Sequence, residues 1–201
     1  MISQIGRLTI LGGIVLLITV KSTQSQVSKT LDVEATFAKL NERVSLQQLL
    51  IDPNTFCLAE NIYHEARNEP TAGMVAVGNV TMNRVYSKRF PNSICTVVHQ
   101  GPHYESWKTR NLPDLPDESR VYYPIKHRCQ FSWYCDGLSD DIRNKRKFQQ
   151  ILELAVDIRK KIYPDITDGA THYHANYVDP SWAKVYNKTV TINTHIFYKH
   201  D

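Results

Sequence analysis

Residues Leu8 to Val20 (LTILGGIVLLITV) form an uncharged, almost wholly apolar run, with Arg7 before it and Lys21 and a polar stretch to Ser28 after it. So placed, the run is an export segment and not part of a folded core. It is shorter than the roughly 20 residues of a membrane span. Extending it back to Ile5 gives a retained inner-membrane anchor through residues 5–20 as the alternative to a cleaved signal peptide. Either way, the chain beyond this segment folds outside the cytoplasm, in the periplasm, at the membrane surface or in a phage-associated setting. All 4 cysteines, Cys57, Cys95, Cys129 and Cys135, lie beyond the segment, where an oxidising compartment lets them pair. Two disulfides are expected. Three connectivities exist, and the short spacing of Cys129 and Cys135 favours a local loop there, leaving Cys57 with Cys95. A metal site on cysteines is disfavoured, since the chain has no Cys-x-x-Cys pair.

The organisation expected is a signal peptide or signal-anchor at 1–22, a polar, partly helical linker or stalk at 23–50, and one catalytic domain at 51–201. With 42% hydrophobic and 22% charged residues, the last part can bury a single core. Losing Arg7 and Lys21 with the leader reduces the net charge from +4 to +2, too little to point to nucleic acid. A mildly basic surface does suit an anionic wall polymer. A monomer is expected.

Asp52-Pro53 can open a helix, Asp as cap and Pro at the first position. The helix runs to about Asn68, with Phe56, Ala59, Ile62, Tyr63 and Ala66 on one face. Leu58, Ile62 and Glu65 line its edge at i, i+4 and i+7. A second helix is expected over 71–86, with Ala72, Val75, Ala76, Val80 and Asn79 or Asn83 inward, and Gly73 and Gly78 allowing close packing. A short helix at 93–100 comes next, then an irregular surface excursion at 101–128 near the substrate groove. Residues 130–134 (QFSWY) read as a short strand. The clearest helix covers 141–162, capped at Ser139 or Asp140, on Phe148, Ile151, Ala155, Ile158 and Ile162. Strands are expected in 170–177 and 190–198. The fold class is therefore α+β, mainly helical, with a small β element.

The segment 59–70 crowds polar groups at the end of an amphipathic helix. A carboxyl wedged against apolar side chains is desolvated, which raises its pKa toward the range where it donates a proton at neutral pH. Glu65 meets that demand, whereas Glu60 points about 140° round the helix. From pattern alone, Glu65 reads equally as an ordinary helix-face carboxylate paired with a cation.

The ordered motifs add to this. Glu65-Ala66-Arg67-Asn68-Glu69-Pro70, Gly73-x-x-Ala76-Val77, Asn83-Arg84-Val85 and Arg89-Phe90-Pro91 come first. Cys129-Gln130-Phe131-Ser132, Ala170-Thr171-His172-Tyr173, Pro180-x-Trp182-Ala183 and His195-Ile196-Phe197-Tyr198 come after them. In this order the chain resembles the cell wall hydrolase family of the spore cortex-lytic enzyme SleB, over about residues 55–198. The resemblance implies a lysozyme-like, mainly helical domain that cleaves peptidoglycan between N-acetylmuramic acid and N-acetylglucosamine. It also implies that Glu65, the first Glu of the family's Glu-Ala-Arg-Gly-Glu motif, is catalytic. Asn68 stands where the family has Gly, and Asn tolerates the left-handed backbone such a turn requires.

A lytic transglycosylase needs one carboxyl group, first acid and then base, and no cofactor. A hydrolase needs a second carboxylate about 5 to 9.5 Å away, for which Glu69, Asp114, Asp136 and Asp179 are available. Substrate contacts are expected from Glu69, Gln130, Ser132, His172 and Tyr173. Gln130 and Ser132 would share a strand face, and Tyr173 would stack on a sugar before Tyr63 or Trp133 did. Two alternatives remain. His172, His174 and His195 could hold zinc in an amidase acting on the wall's peptide stem, or the groove could bind the wall without cutting it.

Overall fold

A computed structural model describes residues 52–200, together with Ala35 and Lys39, both helical. The export segment at 1–22 and the remainder of the linker at 23–50 lie outside the described residues.

The first helix, α1 (Pro53–Ala66), starts as the sequence indicates: Asp52 accepts a hydrogen bond from the Asn54 N–H at 2.7 Å and Pro53 occupies the first turn. Leu58, Ala59, Ile62, Tyr63 and Ala66 are buried. Phe56, expected on the core face, is 44% exposed and instead rests edge-on against Phe148 at the rim, centroids 5.4 Å apart. α2 (Thr71–Tyr86) follows Pro70. Its Ala72 is exposed, not inward, because it lies in the first turn before the helix reaches the core. A Cβ at Gly78 would fall 2.6 Å from Ile158 and 3.1 Å from Ile62, so only glycine lets α2 approach α1 and the later helix this closely. Gly73 serves a different neighbour from the one expected, lying against Glu69 and Asn193.

α3 (Ile94–Val98) is capped by Ser93 and tied to α1 twice. Cys57 bonds to Cys95, and the Asn54 side-chain oxygen accepts from the N–H groups of Ile94 and Cys95. The excursion at 101–128 is more ordered than its composition suggests. It carries a two-stranded antiparallel ribbon, β1 (His103–Glu105) with β2 (Tyr122–Pro124), pairing Tyr104 with Tyr123, and the single-turn α4 (Trp107–Arg110). The expected strand at 130–134 is absent; Ser132–Cys135 form a tight 3-10 turn closed by the Cys129–Cys135 disulfide. A six-residue separation between bonded cysteines favours a turn over extended backbone.

α5 (Lys145–Arg159) is shorter at both ends than the periodicity indicates. Asp136 and Ser139 spend their side chains on the N–H groups of Leu138 and Asp141 in a preceding loop. Asn144 therefore caps the helix, its side-chain oxygen accepting from the Lys147 N–H at 2.9 Å. At the far end Lys161 takes φ 58°, leaving Ile162 61% exposed. The sheet has three antiparallel strands, β3 (His172–Ala175), β4 (Asn187–Ile192) and β5 (His195–Lys199), in the order β3-β5-β4. The segment expected to be extended over 190–198 is the tip of a hairpin that turns at Asn193, φ 51°, a conformation Asn adopts readily. Ala76, Val80, Ala170 and Phe197 form the apolar contact between α2 and this sheet. The architecture is thus α+β, mainly helical, with a small sheet on one side. No described helix is long and apolar enough to cross a membrane.

Candidate active site

Glu65 lies in the last turn of α1. Tyr173, in the middle of β3, donates its hydroxyl to Glu65 Oε2 at 3.0 Å. Arg84 comes from the last turn of α2. Its Nε donates to the Thr171 carbonyl at 2.7 Å, and its guanidinium lies over the rings of Phe131 at 4.8 Å and Phe90 at 5.3 Å. Burial pushes the Glu65 carboxyl above its ordinary range, while the Tyr173 hydrogen bond and the Arg84 charge pull it part of the way back. Burial pushes the Tyr173 phenol well above 10, so it stays a donor. The result is a carboxyl biased toward its protonated form yet provided with partners for its ionised one.

Asn83 fixes the approach to β3, donating to the Ala170 carbonyl at 3.0 Å and to Asp165 at 2.9 Å. Arg84 is not among the residues that the sequence marks for the site. The available signal is its place four residues beyond Val80 and seven beyond Val77, both fully buried, so a cation occupies the next core-facing position of an apolar stripe.

The other expected site residues have contacts of their own. Glu69 Oε1 accepts from the Thr194 hydroxyl at 2.5 Å, tying the start of α2 to the β4–β5 turn. Asp114 and Asp179 are exposed, and Asp136 accepts from the Leu138 N–H. None of the four carboxylates is among the groups acting on Glu65. Gln130 and Ser132 are both exposed, flanking the buried Phe131 and Trp133, but on a turn and not a strand. Trp133 is structural: its indole N–H donates to Asn61 at 3.0 Å and its ring stacks on His64 at 4.4 Å. Tyr63 is buried, with its hydroxyl accepting from the Asn144 N–H.

Tyr173 reaches Glu65 with its hydroxyl, a role different from stacking on a sugar. His172 shares a hydrogen bond with the Thr171 hydroxyl and packs against Tyr186 at 4.6 Å. Burial, and then the charge of Arg84, lower its pKa to about 4. His174 bonds to the Tyr198 hydroxyl, and His195 meets the Tyr173 ring edge-on at 5.2 Å. Among the described residues no three His, Cys, Asp or Glu side chains come together as a metal's ligands would. The amidase alternative finds no ligand set on these histidines.

The sequence model of the cell wall hydrolase family matches residues 68–198. The chain belongs to that family. Glu65 stands just upstream of the matched span of this cell wall hydrolase, while Arg84, Gln130, His172 and Tyr173 lie inside it. A 43-residue stretch is 46% identical to the spore cortex-lytic enzyme of Bacillus subtilis strain 168, covering 21% of this chain and 14% of that protein. A 62-residue stretch is 34% identical to the spore cortex-lytic enzyme of Halalkalibacterium halodurans, covering 31% and 19%. The cell wall hydrolase therefore aligns with only a small part of these relatives.

Two solved structures are also similar. One is the catalytic domain of the germination-specific lytic transglycosylase SleB from Bacillus anthracis, with TM-score 0.48 and 23% identity over 74% of this chain and 96% of that one. The other is the catalytic domain of the Bacillus cereus SleB protein, with TM-score 0.45 and 24% identity over 74% and 91%.

Proposed function

We propose that this cell wall hydrolase cuts peptidoglycan glycan strands between N-acetylmuramic acid and N-acetylglucosamine, as a lytic transglycosylase with Glu65 as its one catalytic carboxyl group. The observation that carries this reading is the environment of Glu65. Its carboxyl is desolvated, receives the Tyr173 hydroxyl and feels Arg84, surroundings that favour the protonated acid and also support the carboxylate that follows it. A hydrolase would need a second carboxylate acting in the reaction.

Protonated Glu65 gives its proton to the glycosidic oxygen as the bond from that oxygen to the muramic C1 breaks. The muramic 6-hydroxyl then bonds to C1, and its proton goes to the Glu65 carboxylate. The product is a 1,6-anhydro end, Glu65 regains its starting state and no water is consumed. Tyr173 holds the carboxylate in place between the two proton transfers, because its high pKa keeps it a donor throughout. Gln130 and Ser132, exposed on the turn after Cys129, supply side chains able to hydrogen-bond sugar hydroxyls or an N-acetyl group.

The reading includes export, with residues 5–20 either removed or retained as an anchor. The two disulfides support an oxidising location. Mass analysis of sacculi digested with the purified full chain tests the chemistry. Anhydro-muropeptides are expected from the wild type and none from Glu65→Gln. Reducing-end products would replace transglycosylation by hydrolysis, and release by Glu65→Gln would remove Glu65 from the reaction.

A further inference from the structure

A cavity of about 830 Å³ opens against α1 on the side away from Tyr173, and Glu65 does not line it. It falls within the roughly 300 to 1,000 Å³ of clefts that take small ligands. Its walls come from three places: the end of α1, the loop after the Cys129–Cys135 turn, and the start of α5. His64 borders it, one residue from Glu65 and so about 100° round the helix.

The lining carries both charges. Arg67, Arg143 and Lys147 are the cations, and Asp136, Asp140 and Asp141 the anions. Neither Arg143 nor Lys147 forms an ion pair among the described residues. The first turn of α5 opens with Lys145, Arg146 and Lys147 and holds no acidic residue, the reverse of what the helix dipole favours. Cations kept there against the dipole, beside a cavity, have a use if an anionic group enters it. Beneath these charges the wall is fixed in place, the His64 ring stacking on Trp133 at 4.4 Å.

We infer that this cavity binds the stem peptide of peptidoglycan, the short peptide carried by the muramic acid whose glycosidic bond Glu65 cuts. The inference rests on the glycan-cutting reading. A peptide with free carboxylates and an amino group matches a mixed-charge cavity better than an uncharged sugar does. Arg143 and Lys147 take its carboxylates, and the aspartates its ammonium group. The geometry suits a branched substrate, with the sugar at Glu65 and the peptide branch a quarter-turn away on the same helix.

Two measurements on the full chain test this. The first is calorimetric titration with the free tetrapeptide L-Ala-D-Glu-diaminopimelate-D-Ala. Binding in the millimolar range or tighter is expected for the wild type, weakened at least tenfold in the Arg143→Ala/Lys147→Ala double variant. A flat wild-type titration at millimolar peptide, or equal binding by both proteins, overturns the proposal. The second compares cleavage of stem-bearing strands with strands stripped of peptide by an amidase. The variant's rise in KM is expected to be at least tenfold larger on stem-bearing strands, with kcat little changed. Equal losses on both substrates, or none on either, also overturn it. If the wild type cleaves neither substrate, the glycan-cutting reading falls, and the titration still decides whether the cavity takes the peptide.

Discussion

On the proposed mechanism Glu65 must lose and regain a proton, and its surroundings work in opposite directions on that proton. Burial raises its pKa, and Tyr173 and then Arg84 lower it. Because the first step needs the protonated form, kcat should fall as pH rises through this raised value. Tyr173→Phe removes a contact that favours the carboxylate, so the alkaline limb of the profile should move to higher pH. A hydrogen bond to a charged group contributes about 1.5 to 3 kcal/mol, so the maximal rate should drop roughly ten- to hundredfold. A profile that stays in place would remove Tyr173 from any action on Glu65. Glu65→Gln, expected to bring muropeptide release below detection, should also change stability. A carboxyl with a raised folded-state pKa contributes stability fully present below its unfolded pKa and lost as pH rises through the folded one. The amide cannot ionise, so the Tm of Glu65→Gln should exceed that of the wild type near neutral pH and converge with it at about pH 4. Differential scanning calorimetry at the two pH values checks this. Glu65 was legible because an apolar helix edge and an ordered motif met at one residue. The contact of Tyr173 with it was not, since it depends on a strand 108 positions further along the chain. The place of Arg84 beside Glu65 is not legible either, since a cation continuing an apolar stripe near a helix end looks like a solvated margin until the sheet covers it.

Among the elements, those with several consistent signals were the ones the sequence revealed. α2 begins after Pro70 and ends at Tyr86 as expected, and α1 carries its Asp-Pro start. The three-residue strands β1 and β2 are too short to display a period, and the Asn193 turn of the β4–β5 hairpin lacks the glycine that usually announces one. α5 is shorter than its periodicity indicates because Ser139, a good capping residue in isolation, gives its side chain to the Asp141 N–H, and Asn144 takes the capping role. Gly78 tests the packing of these helices. Alanine there would gain about 1 kcal/mol in helix propensity, but its Cβ would sit 2.6 Å from Ile158 and 3.1 Å from Ile62. Both neighbours are core side chains with little room to yield, and overpacking of this kind costs about 1 to 3 kcal/mol. Gly78→Ala should therefore lower the Tm, while activity at permissive temperature persists; a Tm at or above the wild-type value would mean that the three helices can move apart without loss.

The two disulfides act on the molecule in different ways. Cys57–Cys95 closes a separation of 38 residues and joins α1 to α3, whereas Cys129–Cys135 closes one of 6. On the chain-entropy account, the long loop contributes about 4 kcal/mol and the short one about 2. Set against a typical domain stability of about 5 to 15 kcal/mol, the first is a large share. Cys57→Ser/Cys95→Ser should thus lower the Tm more than Cys129→Ser/Cys135→Ser, and production in a reducing compartment should harm the chain mainly through the long loop. The short loop has other duties. It presents Gln130 and Ser132, and it orders Phe131 beneath the Arg84 guanidinium and Trp133 against Asn61. Loosening it disturbs the support of Arg84, and small displacements at an active site lower rates steeply. The short-loop variant should therefore lose roughly tenfold or more in muropeptide release at a temperature where calorimetry finds it fully folded. The long-loop variant, while folded, should keep most of its rate. Rates that follow stability in the same proportion for both variants would mean that the short disulfide is a staple only, with no part in ordering the site.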